Sequence, residues 1–560
     1  MRRFKLFIPI IILNVQLICF AQVENVQLNH LVYIFLKEMY VKGLVDYIKE
    51  DDPVMSRFEI IKLLNRIKIN ESLLSPTEKK LLNKYITELN DDLNPENSTQ
   101  LFNPDNNFIS DLPEMFSQKV KYLYGYKEDG NNIFLEWLGH FYHGQRFSPT
   151  PTNNANLYDI GFRMRGTAFN HLGYNLTVIK GGVSGNDRIA ETIEPKLLSN
   201  YKWVENLENI GNYGFNYGYL KFYTSPTKNM DLSVQFGRED ITFGYGYGSK
   251  LVLSGENPTL DFIKFNFDYG VIHFTSLHAS TVGNFSYDIN QRYTKYLALN
   301  RLKLSFKNLF DFGIGETMIY SGRGIELGYL SPLAFYKFIE MDLQDRDNGT
   351  LWMDFQTNFL KKLQFQATFY LDENILSNLQ ELERYTNKTA YQLNSFWYEP
   401  FSVNDLSLIL EYTKIRPYVY THRDPKNTYT AFGTNLGHRI GPNADEIMFR
   451  ANYNLSDRIR LMGEYRFTRK GNNLYDENGN LIKNVGGDIF LSHPDILENK
   501  TAKFLDGERI NTSHFILGMR IEPIREFYLD IYFNYVSTKN LTKSITDNLS
   551  YALIKFTLEY

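Results

Sequence analysis

A carboxylate stands where the surrounding chemistry does not favour one. Glu316 lies in L-F-D-F-G-I-G-E-T-M-I-Y (309–320) and shares the parity of Phe312, Ile314, Met318 and Tyr320. On a strand face turned to hydrocarbon, an unpaired ionised carboxylate costs on the order of a few kcal/mol. A bulge at Gly313 or Gly315 would flip the parity. Glu316 is therefore expected to turn inward and join Arg238, Arg323 and Asp240 in an ion network that braces the interior. The stretch 321–349 follows, with Tyr329, Phe335, Tyr336 and Phe338, then Glu340, Asp342, Asp345 and Asp347. Aromatic faces stack on the C–H patches of sugars, and carboxylates accept hydrogen bonds from their hydroxyls. Tyr329, Phe335, Tyr336, Glu340, Asp342, Asp345 and Asp347 are thus candidate saccharide contacts, and the same composition suits a plug folded into a mouth.

Other chemistries find less. Asp345-x-Asp347-x-Gly349 starts like a calcium loop but lacks the remaining ligand pattern, so no metal or cofactor is expected. His278, Ser280, His438 and Asp445 could be recruited for hydrolysis, yet nothing in the sequence brings them together and G-x-S-x-G is absent. Acidic residues offer no marked pair for glycoside hydrolysis. A non-enzymatic protein is expected. G-Y-G-Y-G at 244–248 has no strand-to-helix context for a phosphate loop, and reads as a tight turn or kinked strand with Tyr245 and Tyr247 in a girdle or lumen.

The elements that would position these residues come from length and periodicity. In 560 residues there are 42 Phe and 40 Tyr, yet the mean hydropathy is only −0.35. Tyr-rich sequence without long apolar runs suits strands with one wet face. The exception is the N-terminus, where Arg2, Arg3 and Lys5 precede an apolar run ending at Ala21, read as an export signal over 1–21. Cys19, the chain's one cysteine, falls inside it, so the mature chain has no disulfide or thiol chemistry. Loss of the signal removes three of the 60 basic residues and none of the 64 acidic ones, leaving no basic footprint for nucleic acid.

Residues 22–90 read as a periplasmic helical region. Ser56 with Glu59, and Ser75-Pro76 with Glu78, are capping boxes that open two of three short amphipathic helices. The Asn- and Pro-containing stretch 91–118 reads as a linker. From 119 to 560 the period is two. Leu351, Met353 and Phe355 alternate with Trp352, Asp354 and Gln356, and similar runs follow to the C-terminus. Their polar faces carry Arg450, Arg460, Glu464, Arg466, Arg520 and Asp530, which suggests a wet lumen with the apolar face on lipid. Short connections near 360–362, 455–457 and 522–526 alternate with long ones near 372–389, 417–444, 470–512 and 538–549. The expected fold is an all-β, antiparallel transmembrane barrel of about eighteen strands with a small N-terminal α-helical bundle.

Several segments resemble the Wzi family of capsule-assembly outer-membrane proteins, in its longer form with an N-terminal helical region. They are V-Y-I-F-L-K-E-M-Y-V-K-G-L (32–44), S-R-F-E-I-I-K-L-L (56–64), G-R-E-D-I-T-F-G-Y-G-Y-G-S-K-L-V-L-S (237–254), G-E-T-M-I-Y (315–320), Y-L-S-P-L-A-F-Y (329–336), R-D-N-G-T-L (346–351) and L-G-H-R-I-G-P-N-A-D-E (436–446). The resemblance implies an outer-membrane barrel, with long loops outside and helices in the periplasm. It also implies binding of capsular polysaccharide, help in its assembly or attachment, and contact with outer-membrane lipid and export machinery. A monomer without nucleic acid is expected. The competing reading is a porin-like channel for small solutes; inward-folding loops 470–512 and 321–349 would count against it.

Overall fold

The computed structural model describes residues 22–560 apart from 91–92, 103–111, 201–202, 204–210, 257, 284–285, 287, 373–380, 382 and 494–499. The expected export signal lies outside the described residues. Eighteen long antiparallel strands close into one barrel. They are β1 Asn131–Ser148, β2 Asn154–Ala168, β3 Leu172–Gly185, β4 Asn212–Thr227, β5 Met230–Glu239 and β6 Leu260–Tyr269. Next come β7 Ile272–Val282, β8 Thr294–Phe306, β9 Phe310–Ser321, β10 Asn348–Thr357, β11 Leu363–Asp372 and β12 Lys388–Tyr398. The last are β13 Leu406–Ile415, β14 Ala444–Asn454, β15 Ile459–Asn472, β16 Glu508–Ile524, β17 Phe527–Asn540 and β18 Ile545–Glu559. Each pairs with the next, and β18 pairs back onto β1. The short strand Tyr124–Glu128 fills in beside the start of β1.

Alternation decides which face is which. Leu351, Met353 and Phe355 are exposed, and Trp352, Asp354 and Gln356 between them are buried. Ile447, Phe449, Phe515, Leu517 and Phe533 are exposed in the same way. An apolar exterior on a sheet without free edges satisfies every backbone group in hydrocarbon. The connections sort by end. One end has 169–171, 228–229, 270–271, 307–309, 358–362, 399–405, 455–458 and 525–526; the other has the long loops. At the long-loop end 541–544 is a tight hairpin, shorter than the loop expected near 538–549, because β17 and β18 keep pairing up to Asn540–Ile545.

Three helices enter the short-turn end: α1 Val32–Lys42, α2 Arg57–Ile69 and α3 Pro76–Leu89. Ser56/Glu59 and Ser75/Glu78 form both capping boxes, and Gly43 closes α1 in the left-handed conformation. The segment does not stand apart from the barrel. Its apolar faces pack on one another and on Phe396, Tyr398, Ile409 and Met448 of the wall. Its acidic residues meet cations of the lumen. Asp51 takes both Arg301 and Lys303, Asp52 takes Lys264 at 2.5 Å, and Glu24 takes Arg165 at 3.4 Å. The bundle is a plug.

Two loops fill the lumen above it. Residues 240–256 dive inward: the Gly244 N–H donates to Asp51 O at 2.8 Å, and the Tyr247 N–H to Glu411 Oε2 at 2.7 Å. The G-Y-G-Y-G run is thus part of an inward loop rather than a turn or wall strand, with Tyr245 fully buried. Residues 416–443 come down beside it, and the Tyr420 and Tyr429 hydroxyls donate to Leu251 O and Val252 O. Phe243, Leu251, Val252, Trp352, Tyr370, Tyr420, Tyr429 and Leu436 form one core inside the barrel. Part of the 473–507 loop rests on it through Ile489. The 322–347 loop does not enter the mouth. It folds back over the outer wall.

Candidate functional site

The plug and the inward loops leave two cavities in the lumen. On strand β4 the run N-Y-G-F-N-Y-G-Y (212–219) puts an aromatic at every second position. Strand parity sends Tyr213, Phe215, Tyr217 and Tyr219 to the lumen, while Leu220 and Phe222 are exposed outside. Ring centroids step by 5.5 Å from Tyr213 to Phe215 and by 6.3 Å from Phe215 to Tyr217, the latter pair stacked. Gly181 on β3 has no side chain where the Tyr213 ring lies, so the ladder can sit against its neighbour.

This ladder lines a cavity of about 450 Å³ between the plug and the wall of β1–β5 and β18. Tyr142 on β1 joins the same cluster, with Lys555 Nζ 4.9 Å from its ring centre. Polar groups stand between the rings. His140 Nδ1 is 2.5 Å from Asp159 Oδ1, and the Tyr213 hydroxyl donates to Asp159 Oδ2 at 2.9 Å. Glu136 is held by Arg163 at 2.9 Å and Arg165 at 2.7 Å. Near the long-loop end Lys196 pairs with Asp240. The short helix α4 Asp187–Ile193 roofs this side, with Ile189 and Ala190 packed on Ala155, Leu157 and Tyr213. Asn25, His30 and Arg57 of the plug form the floor. The chemistry on offer is aromatic stacking with hydroxyl, carboxylate and guanidinium partners. A second cavity of about 620 Å³, on the other side of the plug, is more cationic and includes Lys37, Lys250, Arg450, Arg460 and Arg520.

The residues singled out by sequence fall elsewhere. Glu316 does not turn inward. β9 pairs with β8 and β10 in unbroken register, so no bulge flips its parity. Gly313 and Gly315 have a different use. They face the lumen, where a side chain at either would collide with the Arg301–Asp354 pair or with Trp352. Glu316 stays on the outer face and is covered by the 322–347 loop, accepting the Tyr336 N–H at 2.9 Å. Arg238 is also corrected: it pairs with Asp261 on the exterior, both half exposed. Arg323 leaves the lumen too, pairing with Asp347 while lying 4.7 Å from the Tyr320 ring centre. Of the expected network only Asp240 lines the interior.

The seven saccharide candidates are split. Tyr329 and Tyr336 are fully buried against Ala298, Met318 and Tyr320 on the outer wall and offer no free ring face. Asp347 is buried and takes the Tyr329 hydroxyl at 2.9 Å; Glu340 is buried against Lys337. Phe335, Asp342 and Asp345 are exposed. Asp345 and Asp347 point to different cations, Lys337 and Arg323, so they do not converge as calcium ligands. His278 bonds Tyr320 on the outer wall, His438 is buried in an inward loop, and Asp445 pairs with Arg469. Sequence reasoning passed over the β4 ladder, although its signal was legible: aromatic residues alternating with Gly and Asn just before an outward Leu220 and Phe222.

The structure matches Escherichia coli Wzi with a TM-score of 0.55 at 11% identity, covering 96% of this chain and 99% of that one. That protein is described as an outer-membrane carbohydrate-binding β-barrel involved in group 1 capsule assembly. Pseudomonas aeruginosa OprD matches with a TM-score of 0.41 at 10% identity, over 76% of this chain and 95% of that one. Pseudomonas aeruginosa OpdL matches with a TM-score of 0.42 at 8% identity, over 76% and 99%. No curated protein sequence matches. The family model for capsule assembly protein Wzi matches residues 179–542, from β3 to the β17–β18 hairpin. This outer-membrane β-barrel therefore belongs to the Wzi family of capsule assembly proteins.

Proposed function

We propose that the protein binds capsular polysaccharide in the lumen and assists its assembly or attachment at the cell surface. The observation that carries this reading is the Tyr213–Phe215–Tyr217 ladder with Tyr142 packed beside it, set among Asp159, Glu136 and Arg163 in a cavity about 450 Å³ in volume. Stacked rings bind the C–H faces of sugars, and the interspersed charged groups take their hydroxyls or carboxylates. Family membership and the likeness to a carbohydrate-binding barrel support the same substrate class. The protein acts by binding, without catalysis, as a monomer. In this reading the plugged end faces the periplasm and the export machinery, and the long loops face outward, as short periplasmic turns require.

The channel reading has less support, because the plug and the 240–256 and 416–443 loops occupy the lumen. Deleting the gene and staining capsule on cells and in the medium tests the proposal. Polymer should move from the cells to the medium; unchanged surface polysaccharide would overturn it.

A further inference from the structure

The outer wall of β7–β9 is polar where a membrane barrel should be apolar. Ser276, His278, Asn300 and Glu316 all point outward there, in line with the apolar Ile272, Leu302, Phe312 and Ile314 lower down. Phe310, Phe312 and Ile314 supply roughly 10 Å of apolar height on β9, allowing for strand tilt, against a band about 25 Å tall in barrels of this kind. The missing height is covered by the 322–347 loop. It runs back down the wall as far as Glu316, roughly 13 Å below the top of β9.

The loop is fastened by its polar inner side. Glu316 accepts the Tyr336 N–H, and Asn300 Nδ2 donates to Ser331 O at 3.4 Å and to Ala334 O at 3.2 Å. Tyr329 and Tyr336 pack on Ala298, Met318 and Tyr320. Gly349 on β10 lets the loop's helix α5 Tyr336–Asp342 approach, since a side chain there would meet Met318 and Glu340. The opposite side is apolar and open: Ile325, Leu327, Leu330, Leu333, Phe335, Phe338 and Met341 are all exposed, Leu333 at 90%. The charged residues of this stretch are paired: Arg323 with Asp347 at the loop's ends, and Lys337 on α5 with Glu340 and Asp345, beside the exposed Asp342.

We infer that the 322–347 loop is a lipid-facing apron, whose apolar side chains sit among the acyl chains of the leaflet at the long-loop end. Its position decides between occupants. The loop adjoins the lipid-facing wall: Leu351 of β10 pairs with Glu316 beneath it, and Leu351, Met353 and Phe355 on β10 and Leu302 on β8 are exposed outside. Three loop backbone groups that hydrocarbon would leave unsatisfied, the Tyr336 N–H and the Ser331 and Ala334 carbonyls, are taken by Glu316 and Asn300. The acidic outward residue and the aromatic loop thus serve one purpose: the carboxylate anchors backbone that would otherwise be unpaired, and the loop shields the carboxylate.

A cysteine-free mature chain suits a direct test. Single variants Leu333→Cys, Phe335→Cys and Phe338→Cys of the full mature chain, spin-labelled, would be reconstituted in phosphatidylethanolamine–phosphatidylglycerol vesicles. Leu517→Cys on β16 is the lipid control and Glu477→Cys in the hairpin at 474–483 the water control. Collision with oxygen should exceed collision with a water-soluble nickel chelate at all three loop sites, as at Leu517. Accessibility matching the water control would overturn the inference. So would dipolar broadening at these sites, which would mean that a second copy covers them.

Discussion

Glu316 shows how one side chain can be legible in kind and not in consequence. Its outward parity follows from Phe312 and Ile314, and the parity is what the regular β9 register delivers. What hides it is a loop twenty residues further on, and nothing in the alternation says that a loop will fold down the outside. Removing the acceptor should release that loop. Glu316→Ala leaves the Tyr336 N–H without its partner, a loss worth about 1–3 kcal/mol in a buried setting. The expected result is faster trypsin cleavage at Lys337 in detergent, with Glu316→Gln staying close to the parent because an amide oxygen still accepts. Equal cleavage of parent and Glu316→Ala would contradict the anchoring role.

Among the elements, the plug was readable from its capping boxes and apolar stripes, but its place was not. In Lys49-Glu50-Asp51-Asp52 the two aspartates find their partners, Arg301, Lys303 and Lys264, only on the barrel wall, far away in sequence. Asp51→Ala takes the carboxylate from buried Lys303 and leaves Arg301 with Asp354 alone; losing one partner of a buried pair costs about 3–5 kcal/mol. In planar bilayers the parent should show no steady large conductance, and Asp51→Ala should show intermittent openings as the plug loosens. A steadily conducting parent would contradict a plugged lumen. Glu38 on α1 adds a pH dependence. Burial pushes its carboxyl up to about 7, against the pull of Arg460 3.8 Å away. Burial prevails, helped by the neighbouring carboxylates of Glu78 and Asp405. A raised carboxylate pKa means that the folded state holds the proton more tightly, so this group's contribution falls as pH rises from about 4.5 to about 7. Thermal unfolding in detergent should show a larger gain from Glu38→Gln at pH 8 than at pH 5. An equal effect at both would remove Glu38 as the source.

At the scale of the whole molecule, the barrel was visible in the sequence because a period of two survives in nearly every strand, and one face of each strand must meet lipid. The interior was not visible. Aromatic and acidic composition drew attention to 321–349, but the same residue types serve equally to pack a loop on a wall, as Tyr329 and Tyr336 do. The β4 ladder carries the same rings on a rigid strand, where register rather than composition fixes which way they face. A saccharide site built there is positioned by the wall, the plug and α4 together, and no single segment reveals it. The central claim is that this ladder holds the polymer. Binding of purified capsular polysaccharide to the reconstituted barrel, parent against a Tyr213→Ala/Phe215→Ala/Tyr217→Ala variant, tests it most directly. The account predicts saturable binding by the parent and at least tenfold weaker binding by the variant, about 1.4 kcal/mol or more; equal affinity in a variant that retains the parent's thermal stability would contradict it.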